Sequence, residues 1–258
     1  RTGHFYSPNR HNNKLRRGHL AGNRFDIRIR DVDPTAVIRA KRVLDQLAEQ
    51  GVPNYFGPQR FGYLGDNHLV GRALIKRDFE AALKQLLGDA EHCNHEATRE
   101  ARQAFDAGDY PTALQHWPRT LRYERQALNA LAKGRSISKA VYSIAETQRL
   151  FYGSAAQSYL FNWVLDQRVK AGTFAKLLPG DLAMKHENQS VFPVDDAQAT
   201  LENATDPAGR ITQGLISPSG PMWGSDLLQA QGVEGELELE ALKAFDIEQE
   251  LIETCPLT

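Results

Sequence analysis

The 258-residue sequence predicts an α+β fold, with a fragment of sheet and one helix preceding a mostly helical region. Three observations predict it. Residues near the N-terminal end alternate in polarity with a period of two and lead into a capped helix. A run dense in Gly, Pro and aromatic residues follows. From there nearly to the end, apolar residues recur at spacings of three and four, interrupted by only two short strand-like stretches.

Taken in order, residues 1–18 are an irregular lead-in, because Asn, His, Pro and Gly interrupt any periodicity. Between Leu20 and Arg30, Asn23, Phe25, Ile27 and Ile29 share one face while Arg24, Asp26, Arg28 and Arg30 share the other, which predicts a strand. Asp33-Pro34 starts a helix, with a carboxylate cap and Pro in the first turn. Val37, Val43, Leu44 and Leu47 form its expected buried stripe, and Gly51 stops it. Residues 1–50 thus form one expected domain and residues 51–258 a second, mostly helical one. Helices are expected over 68–87, 92–107, 111–133, 137–145 and 147–171, the last with a buried centre at Ala155, Ala156, Tyr159, Leu160, Trp163 and Val164. Strands are expected at 189–194 and 211–216, a helix at 195–205, and an acidic amphipathic helix over 235–253.

With 41% hydrophobic and 24% charged residues, the composition is that of an ordinary globular chain. No apolar run is long enough to span a membrane, and the polar, basic first residues do not read as a signal peptide. The chain opens at Arg1 without an initiator Met, so a preceding segment is expected. Cys93 and Cys255 stand far apart in no metal or redox spacing, which fits a reducing, cytoplasmic setting. His92, Cys93 and His95 lack a second ligand pair, and a solvated helix face is expected there in place of zinc. Neither a metal nor a cofactor is expected. Walker-type, GxGxxG, HExxH and GxSxG patterns are all absent.

A net charge of −1 conceals an asymmetry. Residues 1–30 hold eight basic side chains against the single acid Asp26, whereas nine acids accompany Lys243 from Trp223 onward. Charge of this kind fits either a polyanion-facing surface or a solvated basic segment.

The sharpest motif is Gly51-Val52-Pro53-Asn54-Tyr55-Phe56-Gly57-Pro58-Gln59-Arg60-Phe61-Gly62. Its glycines permit positive φ, its prolines fix φ, and its rings pack, so a rigid folded loop is expected. Such a loop either holds functional groups still or simply joins domains. This run resembles the NYFG-QRFG motif of TruD-type tRNA pseudouridine synthases. Lys14-Leu15-Arg16-Arg17-Gly18-His19-Leu20-Ala21-Gly22-Asn23-Arg24-Phe25 is similar to the family's KLR-G-L-GN-F segment. Ser158-Tyr159-Leu160-Phe161-Asn162 with Arg168 is similar to its S-LFN helix, and Ile211 to Gly224 to its TGPLFG-like loop. The four matches fall in the family's order across most of the chain.

The resemblance implies a cofactor-independent isomerisation of uridine to pseudouridine in RNA, most directly tRNA. It implies that Asn23 orients a catalytic aspartate and that Phe25 stacks on the target uracil; read without it, Phe25 is rather a core residue beside Ile27 and Ile29 than a stacking one. Asn54, Tyr55, Phe56, Gln59, Arg60 and Phe61 would shape the RNA cleft, and Lys14, Arg16 and Arg17 would meet phosphates. The sequence departs from the family at one point. The G-KD motif that carries the nucleophilic aspartate is not found in it, and Asp26, Asp31, Asp33 and Asp66 sit in positions unsuited to the role. The expectation is therefore a partial chain, inactive by itself. Two further possibilities stay open: a non-catalytic RNA binder derived from the same fold, and a helical structural domain with no RNA role.

Overall fold

The computed structural model describes residues 24–91, 96–205, 207–225 and 227–257. They divide between two compact units, Arg1–Glu49 and Gln50–Thr258.

In the first unit, the helix forms where the sequence places it. Asp33 accepts the backbone N–H of Thr35 at 2.7 Å and caps the turn that opens α1 (Ala36–Gln50). The two hydrogen bonds from Thr35 hold the Asp33 carboxyl below its usual range. Two expectations fail here. Residues 24–30 form no strand, because alternation alone does not make one without a partner ladder, and the described strands pair only with each other. The stripe of α1 is also exposed, with Val37 at 74% and Leu44 at 64%. Helical spacing decides which residues share a face, whereas burial requires something to lie against that face.

The second unit is built on helices. The expected helix over 68–87 is two, α2 (Asn67–Ile75) and α3 (Phe79–Leu87). They break at Arg77, which takes positive φ, and Asp78 then caps α3 by accepting the Ala81 N–H. Next come α4 (Arg99–Asp106), α5 (Tyr110–His116), α6 (Arg122–Ala132) and α7 (Ile137–Ser143). The 25-residue α8 (Glu146–Lys170) runs on for about 37 Å. Ala155, Ala156, Leu160 and Val164 at its centre are buried as expected, whereas Tyr159 and Trp163 are only half-buried. Helix α2 lies directly on it: a Cβ at Gly71 would come within 2.1 Å of the Tyr152 carbonyl, so only glycine allows this approach. One core cluster collects Leu83, Leu87, Trp117, Leu128, Val141 and Tyr152. Another gathers Ile75, Leu160, Val164, Trp223, Leu242 and Phe245.

A small antiparallel sheet follows α8. Strand β1 (Leu182–Lys185) is central, flanked by β2 (Val191–Pro193) and β3 (Ile216–Pro218), with Ala183 opposite Phe192 on one side and Pro218 on the other. The strand expected at 211–216 is displaced to β3, and β1 was not expected at all. Helix α9 (Asp196–Glu202) starts with a capping box between Asp195 and Gln198. The expected 235–253 helix is again two, α10 (Gly232–Ala244) and α11 (Gln249–Glu253). No helix among the described residues is long and apolar enough to cross a membrane.

Candidate functional site

The Gly51–Gly65 loop is fixed along α8. Pro58–Phe61 makes one 3-10 turn, closed by Gly62 at φ +82°, where a Cβ would also strike the Asn67 amide. Asn162, at the middle of α8, grips one residue of the loop from both sides: its Oδ1 accepts the Phe56 N–H at 2.9 Å, and its Nδ2 donates to the Phe56 carbonyl at 2.9 Å. An amide side chain thereby mimics a strand partner and satisfies both polar groups of that residue.

Neighbouring contacts extend the attachment. The Phe56 ring meets Phe161 edge-on at 5.3 Å. Arg60 donates to Ser154 Oγ at 3.1 Å, and its guanidinium lies 5.4 Å from the Phe56 ring and 5.5 Å from the Phe151 ring. Tyr55 hydrogen-bonds Asp166, and its phenol pKa is raised, first by burial and then by that carboxylate. The loop therefore runs antiparallel to α8, and the helix residues it touches span about 22 Å, from Phe151 to Asp166. Behind it, Phe61 packs edge-on against His68, which stacks on Tyr159 at 4.5 Å. Burial lowers the His68 pKa and favours the neutral ring.

This arrangement sorts the expected site residues. Phe56, Arg60 and Phe61 turn toward the body of the unit, and Arg60 is engaged by Ser154 and two rings. Asn54, Tyr55 and Gln59 are exposed. Phe25 is 78% exposed in the first unit. Asn23, Lys14, Arg16 and Arg17 lie outside the described residues, as do His92, Cys93 and His95. Among the described residues, no three His, Cys, Asp or Glu side chains are grouped to hold a metal ion.

The segment Ile211–Gly224 reaches the same part of α8. Gly220 abuts the Phe161 ring, where a Cβ would approach to 2.6 Å. Gln157 donates through Nε2 to the carbonyl of the buried Trp223. Phe161 thus touches both segments, and three stretches distant in sequence meet at Phe161–Asn162.

Arg168 anchors the end of α8. Its Nη1 donates to Asp181 at 2.6 Å and Glu234 at 2.8 Å, and its Nη2 to Asp181 at 2.9 Å and to the carbonyls of Thr173 and Lys176. All three charged side chains are buried, and Glu238 lies buried nearby. Burial, then the neighbouring Glu234, pushes the Glu238 carboxyl up to about 7. Sequence reasoning identified Arg168 but missed both glutamates. The signal was available: Glu234 and Glu238 continue the stripe of Ala241, Leu242 and Phe245 at spacings of three and four.

Comparison with known proteins adds what geometry alone does not. The family model for tRNA pseudouridine synthase D (TruD) matches residues 4–257. A protein of Geobacter sulfurreducens named tRNA pseudouridine synthase D is 41% identical over 239 residues, which is 92% of this chain and 56% of that one. Thermococcus gammatolerans has one, named "Probable tRNA pseudouridine synthase D", 34% identical over 94% of this chain and 59% of its own length. A crystal structure from Methanosarcina mazei, titled under the name tRNA pseudouridine synthase D (TruD), superposes with a TM-score of 0.70 at 29% identity, over 84% of this chain and 51% of that one. The chain spans a little over half the length of these relatives. With a family model matched from residue 4 to 257, the chain belongs to the tRNA pseudouridine synthase D (TruD) family.

Proposed function

We propose that this chain is the RNA-facing part of an enzyme that isomerises uridine to pseudouridine in tRNA. The observation that carries the reading is the clamp between Asn162 and Phe56. It joins two family motifs 106 residues apart and leaves Asn54, Tyr55 and Gln59 outward on a rigid loop. Rigid presentation suits recognition, because the groups that meet a ligand are already ordered before it arrives.

In this reading residues 1–50 belong to the catalytic domain and residues 51–258 form the helical insertion domain. The target uridine is extruded from its stack, an opening that costs a few kcal/mol. Phe25 receives the base by stacking, worth about 1–3 kcal/mol. Asn23 orients the nucleophilic aspartate, supplied from beyond residues 1–258. Lys14, Arg16 and Arg17 meet phosphates, and Asn54, Tyr55 and Gln59 contact the RNA. Selectivity rests on RNA shape and the splayed nucleotide. No metal or organic cofactor takes part, and the setting is the cytoplasm.

Mapping pseudouridines in tRNA from cells with and without the complete gene tests this. Loss of pseudouridine at a defined tRNA position on deletion, restored by the intact gene, is the expected result. An unchanged tRNA map overturns it. The 258-residue chain by itself is expected to bind tRNA and to form no pseudouridine.

A further inference from the structure

Residues 118–150 carry seven cationic side chains against two carboxylates, in a chain whose total charge is −1. The imbalance is sharper at the surface. One of the carboxylates, Glu124, is buried, with its pKa raised chiefly by that burial. The other, Glu146, is exposed at the start of α8.

Two of the seven cations are structural, and one of them is Arg149, whose Nε donates to the Ile144 carbonyl at 3.2 Å. Arg125 holds the fold together, since its Nη1 donates to the carbonyls of Leu114 at 2.8 Å and Trp117 at 2.6 Å and so ties α5 to α6. Arg119, Arg122, Lys133, Arg135 and Lys139 have no such role. All five are exposed, and among the described residues none takes part in an ion pair or a side-chain hydrogen bond. Their grouping is not accidental to the helix geometry. Arg122, Gln126, Asn129 and Lys133 follow one another at spacings of four, three and four, so a single face of α6 presents cation, amide, amide, cation over about 16 Å. Helix α7 flanks that face: Ser143 Oγ donates to the Gln126 carbonyl, and Gln126 Oε1 accepts the Ala145 N–H, both at 3.0 Å.

An exposed aromatic ring stands one helical turn beyond Lys139 on α7. Tyr142 on α7 is 58% exposed, yet its ring is held by Arg149, 4.9 Å from its centroid, and by Phe79, edge-on at 5.6 Å. Unpaired cations beside amides and a braced, exposed ring are the chemistry that meets phosphates and an unstacked base. Like charges gathered without counter-charges also repel one another, so the surface gains from an anionic partner.

We propose that the α6–α7 face is a second RNA-docking surface, contacting the phosphate backbone of the same tRNA at a distance from the clamped loop. Arg149 and Asn162 are separated by thirteen residues along α8, so this face lies about 20 Å along that helix from the clamped loop. The surface then contributes to which RNA is held, in addition to the contacts of the loop. The inference rests on the RNA reading above, and its test separates the two.

Binding of a labelled tRNA transcript to the 258-residue chain is measured by fluorescence anisotropy from 50 to 250 mM KCl. Wild type is compared with a triple variant, Arg122→Gln, Lys133→Gln and Lys139→Gln, and with a control, Lys176→Gln and Lys243→Gln, at exposed sites elsewhere. The triple variant is expected to raise Kd at least about tenfold and to make the slope of log K against log salt shallower by about 2–3. The control should match wild type, and circular dichroism melts of all three should coincide. If wild type binds tRNA and the triple variant keeps its affinity and slope, the second surface is wrong while the RNA reading stands. An equal loss in the control also overturns it, since the effect is then one of net charge. If wild type does not bind tRNA, both fall.

Discussion

Asn162 commits both halves of its amide to the N–H and C=O of Phe56, and that makes it the residue on which the loop geometry turns. Each bond contributes about 0.5–1.5 kcal/mol net, and breaking them leaves two part-buried backbone groups without a partner. Asn162→Ala is expected to lower stability by about 1–3 kcal/mol in urea melts. The loss should be local as well as global, with amide hydrogens of residues 54–61 exchanging faster than those of α3. Asn162→Asp keeps an acceptor for the Phe56 N–H but turns a carboxylate toward the Phe56 carbonyl, so it should not rescue the loop. Wild-type protection of residues 54–61 in Asn162→Ala would mean that Arg60 and the Phe56–Phe161 contact hold the loop without the clamp.

At the scale of the element, α10 is unusual because its buried face carries carboxylates. Glu234 has Arg168 to answer it, whereas Glu238 faces mainly Glu234 and the Ala230 N–H. With its carboxyl raised to about 7 from an ordinary 4.5, the folded chain binds more protons than the unfolded chain between those values. Stability from this group therefore falls as pH rises from about 4.5 to 7 and is flat above. Glu238→Gln keeps an acceptor for Ala230 and removes the titration. Its melting temperature should exceed wild type at pH 8, with the difference vanishing near pH 5; an equal gap at both pH values would refute the assignment. The buried glutamates also show what was legible in the sequence. Local signals placed the loop, α8 and its buried centre correctly, because Gly, Pro and three-four spacing act within a few residues. An acidic helix looks solvated unless its face is matched to a distant arginine, and Arg168 lies 66 residues away from Glu234. The same limit hid β1, a four-residue strand defined by partners on both sides, and misplaced β3. It also gave residues 24–30 a strand that no ladder supports. The folded loop itself was legible from its Gly, Pro and aromatic residues, but which of them turn inward depended on Asn162, Ser154 and Phe161.

Across the whole molecule, stability is unevenly sourced. Among the described residues, the core clusters draw on buried side chains from Val70 onward, while none from 24 to 50 is buried. Val37, Val43, Leu44 and Leu47 instead leave a continuous apolar stripe on α1 in water. Burying a side chain of this size is worth about 1.5–3 kcal/mol, so several on one face supply a strong drive toward association. Replacing Leu44 and Leu47 with Gln, a good helix former, should leave helicity at 222 nm and the main melting transition unchanged. Sedimentation velocity should show the difference: wild type shifts to larger species as concentration rises, and the double variant stays at one sedimentation coefficient. Identical concentration dependence in the two proteins would show that the stripe does not drive association. A lowered melting temperature in the variant would show instead that Leu44 and Leu47 contribute to the folded core after all.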